Sequence, residues 1–284
     1  MSRKKLAIAI PASLISDTPH LREKTSKIGL IGRAAAVFRV DEIVVYSNNA
    51  GKGKKKKDGD LIALLLSYLE MPQYLRKRFF KLDQRLQYAG ILPPLRTPHH
   101  PLNRKARKLK MGEYREGVTA GKTRDGVLVD IGVEHLALMR ENQWSLGKRL
   151  TVQVVEANER VEVQAVSRDE VPVYWGYRVK RENRGFGRLV EEGNFDLVVA
   201  TSKIGVKFVD VESKIREQWR NSHYTLVAFG APTRGLHEIV EDEGLDLDDL
   251  GDFVVNMVPE QGTKTVRTEE ALFASLAVLN VWLR

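Results

Sequence analysis

Asp252–Asn280 reads DFVVNMVPEQGTKTVRTEEALFASLAVLN. Val254 and Val255 have the character of the end of a buried strand. Residues 259–265, PEQGTKT, form a polar loop containing Gly262, and the helix that follows is strongly apolar from Ala271 to Leu279. A chain that leaves a buried strand, runs through a polar loop and re-enters an apolar helix is either completing a plain α/β connection or wrapping a ligand. Thr268 as N-cap, with Glu269 and Glu270 set against the helix dipole, explains the last residues of the loop structurally. That leaves Gln261, Lys264 and Arg267, whose polar groups need solvent or a partner.

Two more strand-to-loop junctions have the same build: FDLVVATSKIG at 195–205 and YTLVAFGAPTRGL at 224–236. In open α/β sheets, ligands collect beyond the carboxyl ends of the strands. Gly205, Gly230, Gly235 and Gly262 permit close approach or positive φ in these loops. On spacing alone, three tight turns on a sheet account for them as well as a pocket does. None is a phosphate loop: GKGKKKK at 51–57 and RGFGRLV at 184–190 both fail the required glycine spacing. A nucleotide-hydrolysing protein is thereby disfavoured.

Working outward, KLAIAIPASL at 5–14 is a short buried strand ending at Pro11. Ile28, Ile31, Ala35 and Phe38 lie at helical spacing within 21–39, and VDEIVVYS at 40–47 is β-branched and strand-like. Strand, helix, strand in that order is a parallel βαβ unit. Residues 48–60, NNAGKGKKKKDGD, read as a loop, and 61–80 as one or two helices broken near Pro72. Pro93, Pro94, Pro98 and Pro101 mark a boundary. Beyond it, short alternating segments at 116–123, 126–132, 135–139, 149–157 and 160–168 give the five-strand pattern of a small OB-type barrel. Residues 171–183 lead back to α/β texture. The predicted architecture is an α/β domain with a parallel sheet, split over 1–95 and 173–284, carrying an inserted barrel at 96–172.

The chain has 284 residues, 43% hydrophobic and 29% charged, an ordinary balance for a soluble globular protein of roughly two domains. Its 46 Lys and Arg against 37 Asp and Glu leave +9, which points to an anionic partner, with nucleic acid ahead of a membrane surface. Without cysteine it has no disulfide, iron–sulfur cluster or thiolate zinc site. The N-terminus lacks a signal-peptide cleavage pattern and no segment nears the roughly 20 apolar residues that span a bilayer, so a cytoplasmic protein without membrane contact is expected. Candidate RNA contacts are Arg104, Lys105, Arg107, Lys108 and Lys110, with Arg178, Lys180 and Arg181. The lysine run 52–57 is either a solvated loop or a backbone tracker. Tyr174, Trp175 and Tyr177, next to Arg184, either stack on RNA or pack the return linker, and Tyr114 and Trp144 are further stacking candidates. His99 and His100 are adjacent and cannot readily share one ion, and no acidic or cysteine cluster accompanies them, so no metal is expected.

FGAPTRGL at 229–236, followed by NMVPEQGTKTVRTEEA at 256–271, resembles the SPOUT superfamily of RNA methyltransferases, and more narrowly its archaeal and eukaryotic members with an OB-like insertion. The resemblance covers essentially the whole chain, and the C-terminal motifs are its specific part. It implies a deep trefoil knot, S-adenosyl-L-methionine bent within three knot loops, and a homodimer. Carried over, the cofactor loops are Thr201, Ser202, Ile204 and Gly205; then Phe229, Gly230, Gly235 and Leu236; then Asn256, Met257, Pro259, Gln261, Gly262, Thr263, Thr265, Val266 and Thr268. Acceptor-side contacts fall to Arg234, Glu238, Glu260 and Arg267, with Glu238 or Glu260 as base. A sulfonium methyl is already activated, so such a protein mainly aligns donor and acceptor and helps remove a proton. The implied activity is methyl transfer to a base nitrogen or ribose oxygen of structured ribosomal or transfer RNA. The alternative is a non-enzymatic RNA-binding or ribosome-assembly protein working through the barrel.

Overall fold

The computed structural model describes residues 4–48, 54–158 and 160–282. The first elements are β1 (Lys5–Pro11), α1 (Leu21–Val37), β2 (Glu42–Tyr46), α2 (Lys54–Glu70) and α3 (Gln73–Phe79). Five strands follow: β3 (Tyr114–Lys122), β4 (Val127–Asp130), β5 (Ala137–Met139), β6 (Arg149–Ala157) and β7 (Val161–Val166). The remainder is β8 (Arg178–Arg181), α4 (Phe186–Glu192), β9 (Leu197–Lys207), α5 (Phe208–Asn221), β10 (Tyr224–Ala228), α6 (Leu236–Glu241), α7 (Leu247–Leu250), β11 (Phe253–Asn256) and α8 (Thr268–Asn280).

The chain divides into two compact units: Met1–Glu70, Gln84–Pro94 and Tyr177–Arg284 form one, and Met71–Asp83 and Leu95–Gly176 the other. In the first, six parallel strands are ordered β11-β9-β10-β1-β2-β8. Ala7–Ile10, Ile43–Val45 and Leu226–Ala228 are fully buried, the continuous apolar run of strands covered on both faces. One face carries Ala7, Ala9, Ala200 and Ala228, small enough for Phe186, Leu189, Leu236, Ile239 and Leu247 of α4, α6 and α7 to lie against them. α8 packs on α1, with Phe273 and Phe38 edge to face at 6.1 Å. In the second unit the strands close as β3-β4-β5-β7-β6 around Val127, Val129, Ile131, Val152 and Val154.

Several sequence expectations change here. β8, RVKR, is a sixth sheet strand where the sequence reads as linker; among the described residues it pairs with β2 alone, and Arg178 and Lys180 face solvent at this edge. α4 is also new, its first N–H groups at Phe186 and Gly187 bound by the Glu243 carboxylate at 2.7 and 3.0 Å. The expected loop 48–60 is helix from Lys54, while 49–53 lie outside the described residues. α3 groups with the barrel strands in one compact unit. Leu75 and Tyr74 pack on Val118, the Tyr74 hydroxyl donates to the Glu116 carbonyl at 2.7 Å, and Arg78 pairs with Asp130 at 2.9 Å.

Candidate functional site

The sheet order makes β11, β9 and β10 neighbours, so the loops leaving their carboxyl ends start side by side. The first loop is an interruption of a strand. Val254 pairs with Ala200, and the next residue, Val255, with Val206, so 201–205 swing out of the ladder and return to it. Gly205 permits this: a Cβ there would sit 2.7 Å from the Val254 carbonyl oxygen.

The three loops are tied to one another through backbone carbonyls. Thr201 Oγ1 donates to the Ala228 carbonyl at 2.8 Å, Asn256 Nδ2 to that of Lys203 at 2.8 Å, and Lys203 Nζ to that of Lys264 at 3.0 Å. Thr268 is not the N-cap; Arg267 holds that position, its N–H donating to Glu270 at 2.9 Å. Thr268 is the first helical residue, and its hydroxyl donates to the Gly230 carbonyl at 3.1 Å, fastening α8 to the second loop. From below, the fully buried Tyr46 hydroxyl donates to the Phe229 carbonyl at 3.0 Å. Burial, and then the nearby Glu243 charge, push the Tyr46 pKa well up, so the phenol stays protonated as a donor.

Between the loops lies a cleft of about 450 Å³, within the range of small-molecule sites. Of the sequence candidates it is lined by Thr201, Ser202, Ile204, Phe229, Gly230, Gly235, Leu236, Asn256, Met257, Gln261, Thr265, Val266 and Thr268, and by Arg234 and Glu238. Gly205, Pro259, Gly262 and Thr263 are not among its lining residues, nor are Glu260 and Arg267. The Glu260 side chain is 84% exposed and pairs with Lys207 at 3.0 Å. Sequence reading passed over Lys203, His237 and Ser275, which do line the cleft. His237 follows the 229–236 motif directly and could have been found there; Ser275 sits inside an apolar helix, where nothing local distinguishes it.

Arg234 is fixed by Asp242 at 2.6 Å and by the Glu238 carbonyl at 2.9 Å, and the Asp242 contact raises its pKa, so it presents a permanent positive charge. Ser202 Oγ lies 3.1 Å from His237 Nδ1 and 3.3 Å from the Ile204 N–H. Ser275 Oγ is fully buried and has no hydrogen-bond partner among the described residues. Thr268, Ala271 and Ser275 share one face of α8 by helical spacing, so that hydroxyl belongs to the wall of the cleft. An orphan hydroxyl, backbone polar groups from three loops, and an apolar side from Phe229, Leu236 and Val266 suit a compact polar-and-aromatic ligand such as an adenosyl group.

Arg104, Lys105, Arg107, Lys108 and Lys110 are all exposed on the barrel unit, as are Arg178 and Lys180 on β8. Arg181 is turned inward at 16% side-chain exposure, donating to the Val45 carbonyl at 2.9 Å and facing Asp60 at 3.5 Å. Tyr174, Trp175 and Tyr177 are buried, and Trp175 Nε1 donates to Glu116 at 2.6 Å. Of the two readings left open for them, packing is the one observed. His99 is buried against the Trp175 ring at 5.9 Å.

A parallel sheet whose adjacent carboxyl-end loops border a cleft of ligand size, in a chain that also carries a small closed barrel, defines an α/β protein of two units. Residues 5–279 match the family described as "Putative RNA methyltransferase", and the chain belongs to that family. It is similar to the 28S rRNA (uridine-N(3))-methyltransferases of Drosophila melanogaster, at 33% identity over 96% of this chain and 61% of that protein, and of Mus musculus, at 35% over 96% and 75%. The Homo sapiens protein of the same name is 34% identical over 96% of this chain and 77% of its own length. The chain thus spans under two thirds of the fly relative.

Proposed function

We propose that the chain transfers a methyl group from S-adenosyl-L-methionine to N3 of a uridine in ribosomal RNA. The observation that carries this reading is the cleft between 201–205, 229–236 and 256–268, built largely from backbone groups and holding the unpartnered Ser275 hydroxyl. When bound, the donor supplies an electrophilic methyl on a positively charged sulfur. The chain's own task is to hold the adenosyl part against the three loops, keep Arg234 near the entering RNA as a fixed cation, and leave the mouth open to the base.

In this proposal the sheet domain is SPOUT-type, with the segment after β11 threaded as a trefoil knot. The excursion at 201–205 and the Thr268 tether to Gly230 support it, because both bring the C-terminal segment against neighbouring strand ends. The barrel is OB-like and holds RNA through Arg104–Lys110. The working form is a homodimer, supported by Ile204, Val206 and Val209 at 77, 52 and 67% exposure around the first loop, an apolar patch suited to a second copy.

The test is methylation of a ribosomal RNA transcript with isotopically labelled donor, followed by nucleoside mass spectrometry. Label in 3-methyluridine is the expected result. Label only in 2′-O-methyl nucleosides contradicts the assignment of the atom, and RNA binding without transfer returns the chain to an assembly role.

A further inference from the structure

Methyl transfer to an imide nitrogen needs a group that the reading above leaves unassigned, and the inference here rests on that reading. N3 of uracil carries a hydrogen, and its electrons are delocalised into two flanking carbonyls. It becomes a nucleophile only as that hydrogen leaves as a proton, so a proton acceptor must stand within hydrogen-bond reach. Among the residues lining the cleft, only His237 and Glu238 are side chains of that kind. Glu238 is committed elsewhere: its side chain is 59% exposed and its carboxylate faces the Arg234 guanidinium at 3.6 Å. Glu260, the other acid expected to serve, lies outside the lining and on Lys207.

His237 is placed differently. It stands in the first turn of α6, half-buried, with Nδ1 3.1 Å from Ser202 Oγ on the first loop. The same oxygen lies 3.3 Å from the Ile204 N–H, which donates to it. In the proposed arrangement Nδ1–H donates to that oxygen and Nε2 keeps the lone pair; the opposite tautomer, with the Ser202 hydroxyl donating to Nδ1, is the one the nitrogen resonances test. This is the arrangement of a general base oriented by a third group. The charged groups lining the same cleft are Lys203, Arg234, Glu238 and Lys264.

We propose that His237 is the proton acceptor of the reaction and Ser202 its positioning residue. As the N3–methyl bond forms, the N3 proton passes to His237 Nε2. The carbon–sulfur bond breaks with its electron pair kept by sulfur, leaving neutral S-adenosylhomocysteine. The imidazolium then gives its proton to solvent, and the charge balance closes.

His237→Gln is compared with wild type in three measurements. Calorimetry with S-adenosylhomocysteine is expected to give an affinity within about threefold of wild type, showing an intact fold and cofactor loops. Single-turnover transfer is expected to fall roughly 10²–10⁴-fold, with loss of the rising acid limb of the pH–rate profile and partial rescue by added imidazole. In the unliganded wild type, ¹⁵N resonances are expected to report the Nδ1–H tautomer, and Ser202→Ala is expected to mix the tautomers and lower kcat with little change in KM. An H237Q protein with wild-type rate and pH profile overturns the assignment, as does an Nε2–H tautomer or a loss that appears in Glu238→Gln instead. Should H237Q fail to bind S-adenosylhomocysteine, the tautomer and the Ser202→Ala kinetics decide. Wild-type protein that transfers no methyl overturns both this assignment and the function proposed above; an active wild type with an active H237Q overturns this one alone.

Discussion

A fully enclosed hydroxyl without a partner costs about 1–3 kcal/mol, and Ser275 Oγ is such a group. A protein keeps it if the partner arrives with a ligand. Ser275→Ala is therefore expected to raise the melting temperature of the unliganded protein by a few degrees while weakening S-adenosylhomocysteine binding about tenfold. Differential scanning fluorimetry and calorimetry on the same samples read both, and stabilisation with undiminished affinity would make the hydroxyl irrelevant to the ligand. Single residues were unevenly legible in the sequence. Gly230 was readable as a close-approach position, and a Cβ there would indeed lie 3.0 Å from the Leu236 nitrogen. Thr268 was not, because a threonine before two glutamates fits an N-cap, while its hydroxyl reaches the Gly230 carbonyl 38 positions away. Local capping preference gave way to a tertiary bond that sequence spacing does not display.

At the level of elements, helical spacing located α1, alternation located the five barrel strands, and short apolar or β-branched runs located β1 and β2, which are buried on both faces. These signals missed β8, whose charged residues gain strand character only from the β2 edge they meet. The turn after β8 depends on Glu182. The Arg184 guanidinium grips its buried carboxylate at 2.9 and 3.0 Å, and the Glu182 N–H donates to the Val45 carbonyl. Hydrogen bonding by Arg184 draws the Glu182 pKa from 4.5 to about 2. A depressed carboxylate stabilises the fold above its unfolded pKa, and that contribution is lost as pH falls from 4.5 towards 2. Arg184 is half exposed, so solvent screening holds the contribution to about 1 kcal/mol. Urea titrations at pH 7 should show Glu182→Gln less stable by that amount, with the gap closing by about pH 2. A gap that persists unchanged at low pH would assign the loss to packing.

For the whole molecule, composition pointed to a basic protein and texture to an α/β domain interrupted by a barrel. The adjacency of β11, β9 and β10 was not readable, because strand order is a long-range property that no local repeat encodes. The cleft exists only through that order. The barrel charges are exposed, so replacing Arg104, Lys105, Arg107, Lys108 and Lys110 with glutamine is expected to flatten the plot of log affinity against log salt. The slope should fall by about 0.7–0.9 for each phosphate that these side chains no longer neutralise. Filter binding across a salt series measures this, and an unchanged slope would place the RNA elsewhere.

The claim beneath all of this is that the turns after β9, β10 and β11 jointly hold a methyl donor. Isothermal calorimetry of the full chain with S-adenosylhomocysteine tests it most directly. One saturable site per chain is predicted, abolished in Gly230→Val, whose side chain would press on the backbone of Gly235 and Leu236. No saturable heat from folded wild-type protein, or binding untouched by that substitution, would contradict it.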